Sequence, residues 1–184
     1  MTTKKKKNRI VITLLCLFTT GVFAQEASRF NVYVTYKHSF GMLEKNVIWK
    51  MKQGLYGNAL LFKGTYSING LIALGAGFGT DVLESPHYST FPVFVSVHVT
   101  PFKYKKLFFY NDLGYSLDTK ISYPGLHEEL GAGYKLMFKK HFGLSFNLGY
   151  NLKQMQNIII NDNGMTGTSY TTRHSLSAGM GFVF

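Results

Sequence analysis

His98, Asp112, His127, Glu129 and Lys135 are ionisable side chains on the polar side of segments that alternate with a period of two. Two imidazoles and two carboxylates on neighbouring strands are the raw material of general acid–base work or a proton relay, provided they converge to hydrogen-bond distance. The same set also suits the filling of a narrow polar interior, where a charge buried without a partner is costly. The second reading asks less of the sequence. Glu129 and Lys135 stand six residues apart on one strand, about 20 Å at ~3.3 Å per residue, so they cannot pair with each other. Partners are therefore expected from adjacent strands, with Asp112 and Lys153 as candidates and Asp112 with His127 as a further pairing.

Other patterns carry less chemistry. His87-Tyr88-Ser89 sets a hydroxyl two residues from an imidazole, but no acid stands between Glu84 and Asp112 to orient the base. Gly75, Gly77 and Gly79 repeat every second residue with no helix after them, so they are no dinucleotide fingerprint and instead leave room for a neighbouring side chain or for strand curvature. Asn161, Asp162 and Asn163 look like a fragment of a calcium loop without its terminal Glu. No metal site, catalytic group or cofactor is expected.

The elements that would position these residues are strands. The apolar set Leu176, Ala178, Met180, Phe182, Phe184 interleaves with Ser175, Ser177, Gly179 and Gly181, and a period of two sends the sets to opposite faces. The same alternation recurs in Phe142–Lys153, Glu129–Phe138, Val93–Thr100 and Ile72–Gly79. It is weaker in Leu107–Leu117, where Asn111 interrupts it, in Arg29–Phe40, and in Leu55–Ile68, where Leu61 competes with Leu60, Phe62 and Tyr66 for the register. That makes eight strands. The connections alternate in length, with short ones at 69–70, 103–106 and 139–141 and long ones at 41–54, 81–90, 118–125 and 155–170. The face opposite the bulky residues carries Gly, Ser, Asn, Lys and Glu, a poor core for a soluble sandwich or lipocalin-like barrel. It suits a barrel whose bulky face meets lipid.

The N-terminus fits that destination. Lys4–Lys7 and Arg9 precede an apolar run from Ile10 to Phe18, and the small residues Gly21 and Ala24 prepare a cut before Gln25. Residues 1–24 are thus expected to be a cleaved signal peptide, and residues 25–184 the barrel. Cys16 lies inside the apolar run without a lipoprotein's flanking residues, and the rest of the chain has no cysteine, which excludes disulfides and thiolate metal sites. The 20 Lys+Arg against 9 Asp+Glu owe much of their excess to residues 1–24, so nucleic-acid binding is not implied. No later stretch approaches eighteen consecutive apolar residues.

The chain end Gly181-Phe182-Val183-Phe184 resembles the C-terminal signature of bacterial outer-membrane proteins. The runs Gly75-Ala76-Gly77-Phe78-Gly79-Thr80-Asp81, Thr90-Phe91-Pro92-Val93-Phe94 and Leu113-Gly114-Tyr115-Ser116 are similar to the outer-membrane β-barrel domain family, which includes OmpA-, OmpX- and OmpW-like small barrels. The likeness covers essentially residues 29–184. It implies an all-β fold, an eight-stranded antiparallel transmembrane barrel, in the outer membrane of a Gram-negative cell. It also implies that Met180, Phe182 and Phe184 form a signal read by the barrel assembly machinery. The expected partners are that machinery and outer-membrane lipids, with no nucleic acid, an unidentified loop ligand and a monomeric state. The expected function is non-enzymatic, structural or interactive through extracellular loops. The alternative is a lipid-modifying enzyme like the lipid A deacylase barrels, which use a His-x-Ser arrangement with a downstream Glu. A general porin is not expected, because side chains fill the interior of an eight-stranded barrel.

Overall fold

The computed structural model describes residues 29–45, 50–51, 55–84, 87–101, 106–119, 123–139, 141–160 and 166–184. The expected signal peptide lies outside these residues, as does the calcium-loop fragment at 161–163.

Eight strands run antiparallel in chain order: β1 (Phe30–Lys45), β2 (Tyr56–Ser67), β3 (Ile72–Glu84), β4 (Pro92–Val99), β5 (Leu107–Ser116), β6 (Gly125–Lys139), β7 (Phe142–Ile160) and β8 (Thr166–Val183). Each pairs with its sequence neighbour, and β8 pairs with β1, which closes the sheet. Closure joins the eight long strands into a circle, so backbone groups along it are satisfied strand to strand, as a lipid surrounding requires. The seam extends to the chain terminus: the amide of Phe184 donates to the carbonyl of Val32 at 2.9 Å, and that of Val32 to the carbonyl of Phe184 at 3.0 Å.

The long connections expected at 41–54, 81–90 and 155–170 are instead largely strand. β1 continues to Lys45 against a short strand Lys50–Met51, β3 continues to Glu84 against a short strand His87–Thr90, and β7 pairs with β8 out to Ile160 and Thr166. Alternation weakens there because those stretches pass beyond the outward apolar belt while the inner face takes Leu83 and Met155, so bulk no longer marks the outward face. Sequence patterning therefore reads them as loops while the backbone ladder simply continues.

Polarity is reversed relative to a soluble barrel. Leu148, Val95 and Leu130 point outward and are 68%, 61% and 60% exposed. Large apolar side chains left in water forgo about 1.5–3 kcal/mol each relative to burial, so a continuous belt of them needs lipid as its solvent. The molecule has the form of a transmembrane β-barrel. Leu61 settles the register of β2: it points inward while Leu60, Phe62 and Tyr66 point out.

Glycines on the inner face act as sockets. A Cβ on Gly77 would stand 2.5 Å from Cζ of Phe94, and one on Gly149 would stand 2.8 Å from the Tyr110 hydroxyl. The bulky inward residues Phe94 and Tyr110 thus fit within eight strands because the facing positions have no side chain. Spin labels at Leu148 and Asn147, adjacent in β7, test the orientation in lipid vesicles. The label at 148 is expected to collide with dissolved oxygen and the label at 147 to be shielded from it; equal accessibility would overturn the assignment.

Candidate functional site

The inner face of the barrel carries its titratable groups, and their arrangement starts from one register pair. Asp112 on β5 and Glu129 on β6 are directly opposite each other across the ladder, both inward and both buried. Like charges so placed repel strongly, and each needs a cation close by. Neither adjacent strand supplies it. Lys37 of β1 reaches across the lumen to Glu129 Oε1 at 2.7 Å, and Lys63 of β2 reaches Asp112 Oδ2 at 3.0 Å. The expectation that ion partners come from adjacent strands is corrected here. In eight strands the opposite wall is within reach of an extended lysine, so two strands in between are no obstacle.

Hydrogen bonds complete this centre. The Tyr110 hydroxyl donates to Glu129 Oε1 at 2.6 Å, Ser177 Oγ donates to the same oxygen at 3.0 Å, and Asn151 Nδ2 donates to Oε2 at 3.3 Å. Ser96 Oγ donates to Asp112 Oδ1. Both ammonium groups lie over the Tyr110 ring, with Lys37 Nζ 5.0 Å and Lys63 Nζ 4.9 Å from its centroid, a geometry of cation–π attraction. One tyrosine thus serves an anion through its hydroxyl and two cations through its face.

Two further ion pairs lie toward the long-hairpin end. Lys153 of β7 meets Asp81 of β3 on the far side of the lumen, so Lys153, expected as a partner for Glu129, has a different anion. Arg173 of β8 meets Glu44 of β1, its direct register partner, and its Nη1 donates to the Tyr56 carbonyl at 3.3 Å. Glu44 is inward because a bulge between Gly41 and Leu43 shifts the alternation by one residue. Ala59, Leu61 and Phe94 form a buried apolar cluster on the inner face, and Leu55, Leu83 and Met155 are buried further toward the long hairpins.

Of the residues singled out from sequence, Asp112 and Glu129 form the centre. His98 and His127 are inward and buried but stand apart from both carboxylates' hydrogen-bond shells. His98 stacks on Phe108 at 4.8 Å between centroids, and His127 lies 5.7 Å from Phe94. The suggested pairing of Asp112 with His127 is not formed: the carboxylate bonds Lys63 and Ser96, and neither ring nitrogen of His127 has a hydrogen-bond partner. Lys135 lies near the short-turn rim, its Nζ 5.5 Å from the Phe108 ring. Met180, Phe182 and Phe184 face outward, where Phe142 stacks at 5.8 Å on Phe182 and lies 5.6 Å from Phe184. Ser89 lies on the short strand opposite Val82, and nothing is described of the His87 side chain.

Sequence reasoning missed Lys37, Lys63, Asp81, Glu44 and Arg173 as candidate members of the lumen set. It also missed an outward polar group near the long-hairpin end. Asn58 Oδ1 lies 2.7 Å from the Tyr36 hydroxyl and 2.8 Å from His38 Nδ1, while Asn58 Nδ2 donates to Glu84 Oε1 at 3.0 Å. Tyr36, His38 and Asn58 occupy alternate outward positions of paired strands, a signal visible only once the register of β2 is fixed. Among the described residues, no three His, Cys, Asp or Glu side chains converge as a metal site.

No protein-family model matches the chain, and no curated protein matches it. Among solved structures it is similar to the outer membrane protein OprG from Pseudomonas aeruginosa, at 12% identity and a TM-score of 0.46 over 85% of this chain and 96% of that one. It is also similar to Neisserial surface protein A, at 13% identity and a TM-score of 0.47 over 83% and 96%. The KdgM porin gives 11% identity and a TM-score of 0.35 over 83% and 99%. These likenesses are of outline alone.

Removing one member of the central set strands its partner. Glu129→Gln is expected to lower stability by about 3–5 kcal/mol, read from urea-induced equilibrium unfolding in lipid vesicles. The double variant Lys37→Met with Glu129→Met is expected to cost less than the sum of the singles, because neither charge is left buried alone. Additive losses would show that the two side chains do not interact.

Proposed function

We propose that this chain is a small, non-enzymatic outer-membrane β-barrel protein that acts through the hairpins rising from its long-connection end. The observation that carries this reading is the interior, where ion pairs and a buried apolar cluster brace opposite walls. Such an interior is a strut. It gives the barrel rigidity, and a rigid barrel is a stable base for exposed segments that meet other molecules.

The outer-membrane location is supported by the outward apolar belt and by the secretion leader expected at residues 1–24. Kinship with OmpA-, OmpX- and OmpW-like barrels is supported by the terminal strand and the glycine run. The absence of an enzymatic role is supported by the centre's chemistry: Glu129 and Asp112 are both engaged by lysines and hydroxyl donors, which leaves them poor bases. Recognition of the last strand by the assembly machinery is supported by the outward row of Met180, Phe182 and Phe184.

Three measurements test the reading. Purified protein in planar bilayers is expected to show no steady conductance, and a stable open pore would contradict a braced interior. Lipid A mass profiles of cells with and without the protein are expected to be identical, and a lost or gained acyl chain would establish the enzymatic alternative. Phe184→Ala is expected to reduce the amount of heat-modifiable, membrane-integrated barrel several-fold; unchanged yield would remove the assembly role of the terminus.

A further inference from the structure

At the short-turn end the lumen opens into a cavity of about 460 Å³ that the braced interior closes on its inner side. Its lining includes the cations Arg29 and Lys135, the neutral donors Asn31, Tyr33 and Thr100, and His98; no described carboxylate lines it. His98 is only 3% exposed, and its Nε2 has no hydrogen-bond partner in the protein. A buried polar atom left without a partner is a cost that a ligand atom can relieve. The ring is held firmly, stacked on Phe108 and met edge-on by Tyr33 at 5.5 Å. Lys135 rests over the same Phe108 ring, so one aromatic platform sets both the imidazole and the ammonium.

We propose that this cavity is a binding site for a small solute bearing an oxyanion, with a phosphate monoester as the chemistry that fits best. The excess of positive charge selects an anion, and the guanidinium fork of Arg29 with the point charge of Lys135 suits a phosphate's several oxygens. His98, as its Nε2–H tautomer, donates to one of those oxygens. The volume exceeds that of a bare ion and falls within the ~300–1,000 Å³ of small-molecule sites, leaving space for an organic portion beside Tyr33. Beyond His98 the next void holds about 10 Å³, water-sized, and ends on Lys37 and Lys63. The cavity is therefore a dead end that captures a solute and does not pass it on. This holds whatever the long hairpins meet.

The test uses the full barrel refolded in detergent micelles in phosphate-free buffer, titrated calorimetrically with phenyl phosphate, benzoate and benzyl alcohol. Phenyl phosphate is expected to bind saturably with one site, benzoate more weakly, and benzyl alcohol not at all. His98→Gln and Lys135→Gln are each expected to weaken phenyl phosphate by about tenfold. Arg29→Gln, at the exposed rim, is expected to weaken it too, and this variant leaves the interior packing untouched. Heat-modifiable mobility verifies that each variant is folded. Failure of phenyl phosphate to bind at millimolar concentration would overturn the proposal and leave a water-filled vestibule. Benzoate binding as tightly would overturn the phosphate assignment, and unchanged affinity in the folded variants would place the ligand elsewhere.

Discussion

Two carboxylates set side by side in a medium that cannot solvate them are the constraint from which the rest of this interior follows. Asp112 and Glu129 share a register position on β5 and β6. Their repulsion is relieved only by charge of the opposite sign within a few ångströms, and the walls of an eight-stranded barrel bring that charge from β1 and β2. Lys37 and Lys63 in turn repel each other, and the electron-rich ring of Tyr110 attracts both. Ser96, Ser177 and Asn151 satisfy remaining lone pairs. Each residue answers a need created by another.

Much of the fold was legible because alternation is a strong signal wherever one face meets lipid. The outward rows of β3, β4, β6, β7 and β8 could be written down from residue types alone. The ion pairs could not. Sequence alternation tells which face a residue takes, but not how far around the wall its partner lies. Lys37 and Glu129 are 92 residues apart, and only the small circumference of the closed barrel makes them neighbours. Asp81 was hidden because its strand continues past the apolar belt, and Glu44 because a bulge reverses the parity after Gly41. The His98 site was half visible. Its residue was named, but the cavity beside it depends on Arg29, Lys135 and the rim turns meeting in three dimensions.

The glycines carry a second lesson about fit. A polar interior of fixed radius cannot hold Phe94, Tyr110 and Phe108 unless other positions give up their side chains. Gly77 stands against Phe94, Gly149 against Tyr110, and Gly133 has Cε1 of Phe108 at 2.7 Å from where its Cβ would lie. The inward glycines and the inward aromatic residues are one quantity seen from two sides, the space yielded and the space filled.

The seam between β8 and β1 has a consequence for the order of events in folding. Val32 and Phe184 exchange hydrogen bonds across it, which joins the first strand of the barrel to the residue that follows its eighth. The ion pairs also join strands far apart in the chain, at separations from 49 residues for Lys63 with Asp112 to 129 for Glu44 with Arg173. No hairpin formed early can therefore neutralise its own charges, and a half-built sheet would carry bare lysines and carboxylates that lipid rejects. Entry of the strands into the membrane and closure of the circle are bound together as one late step, after β8 has been made.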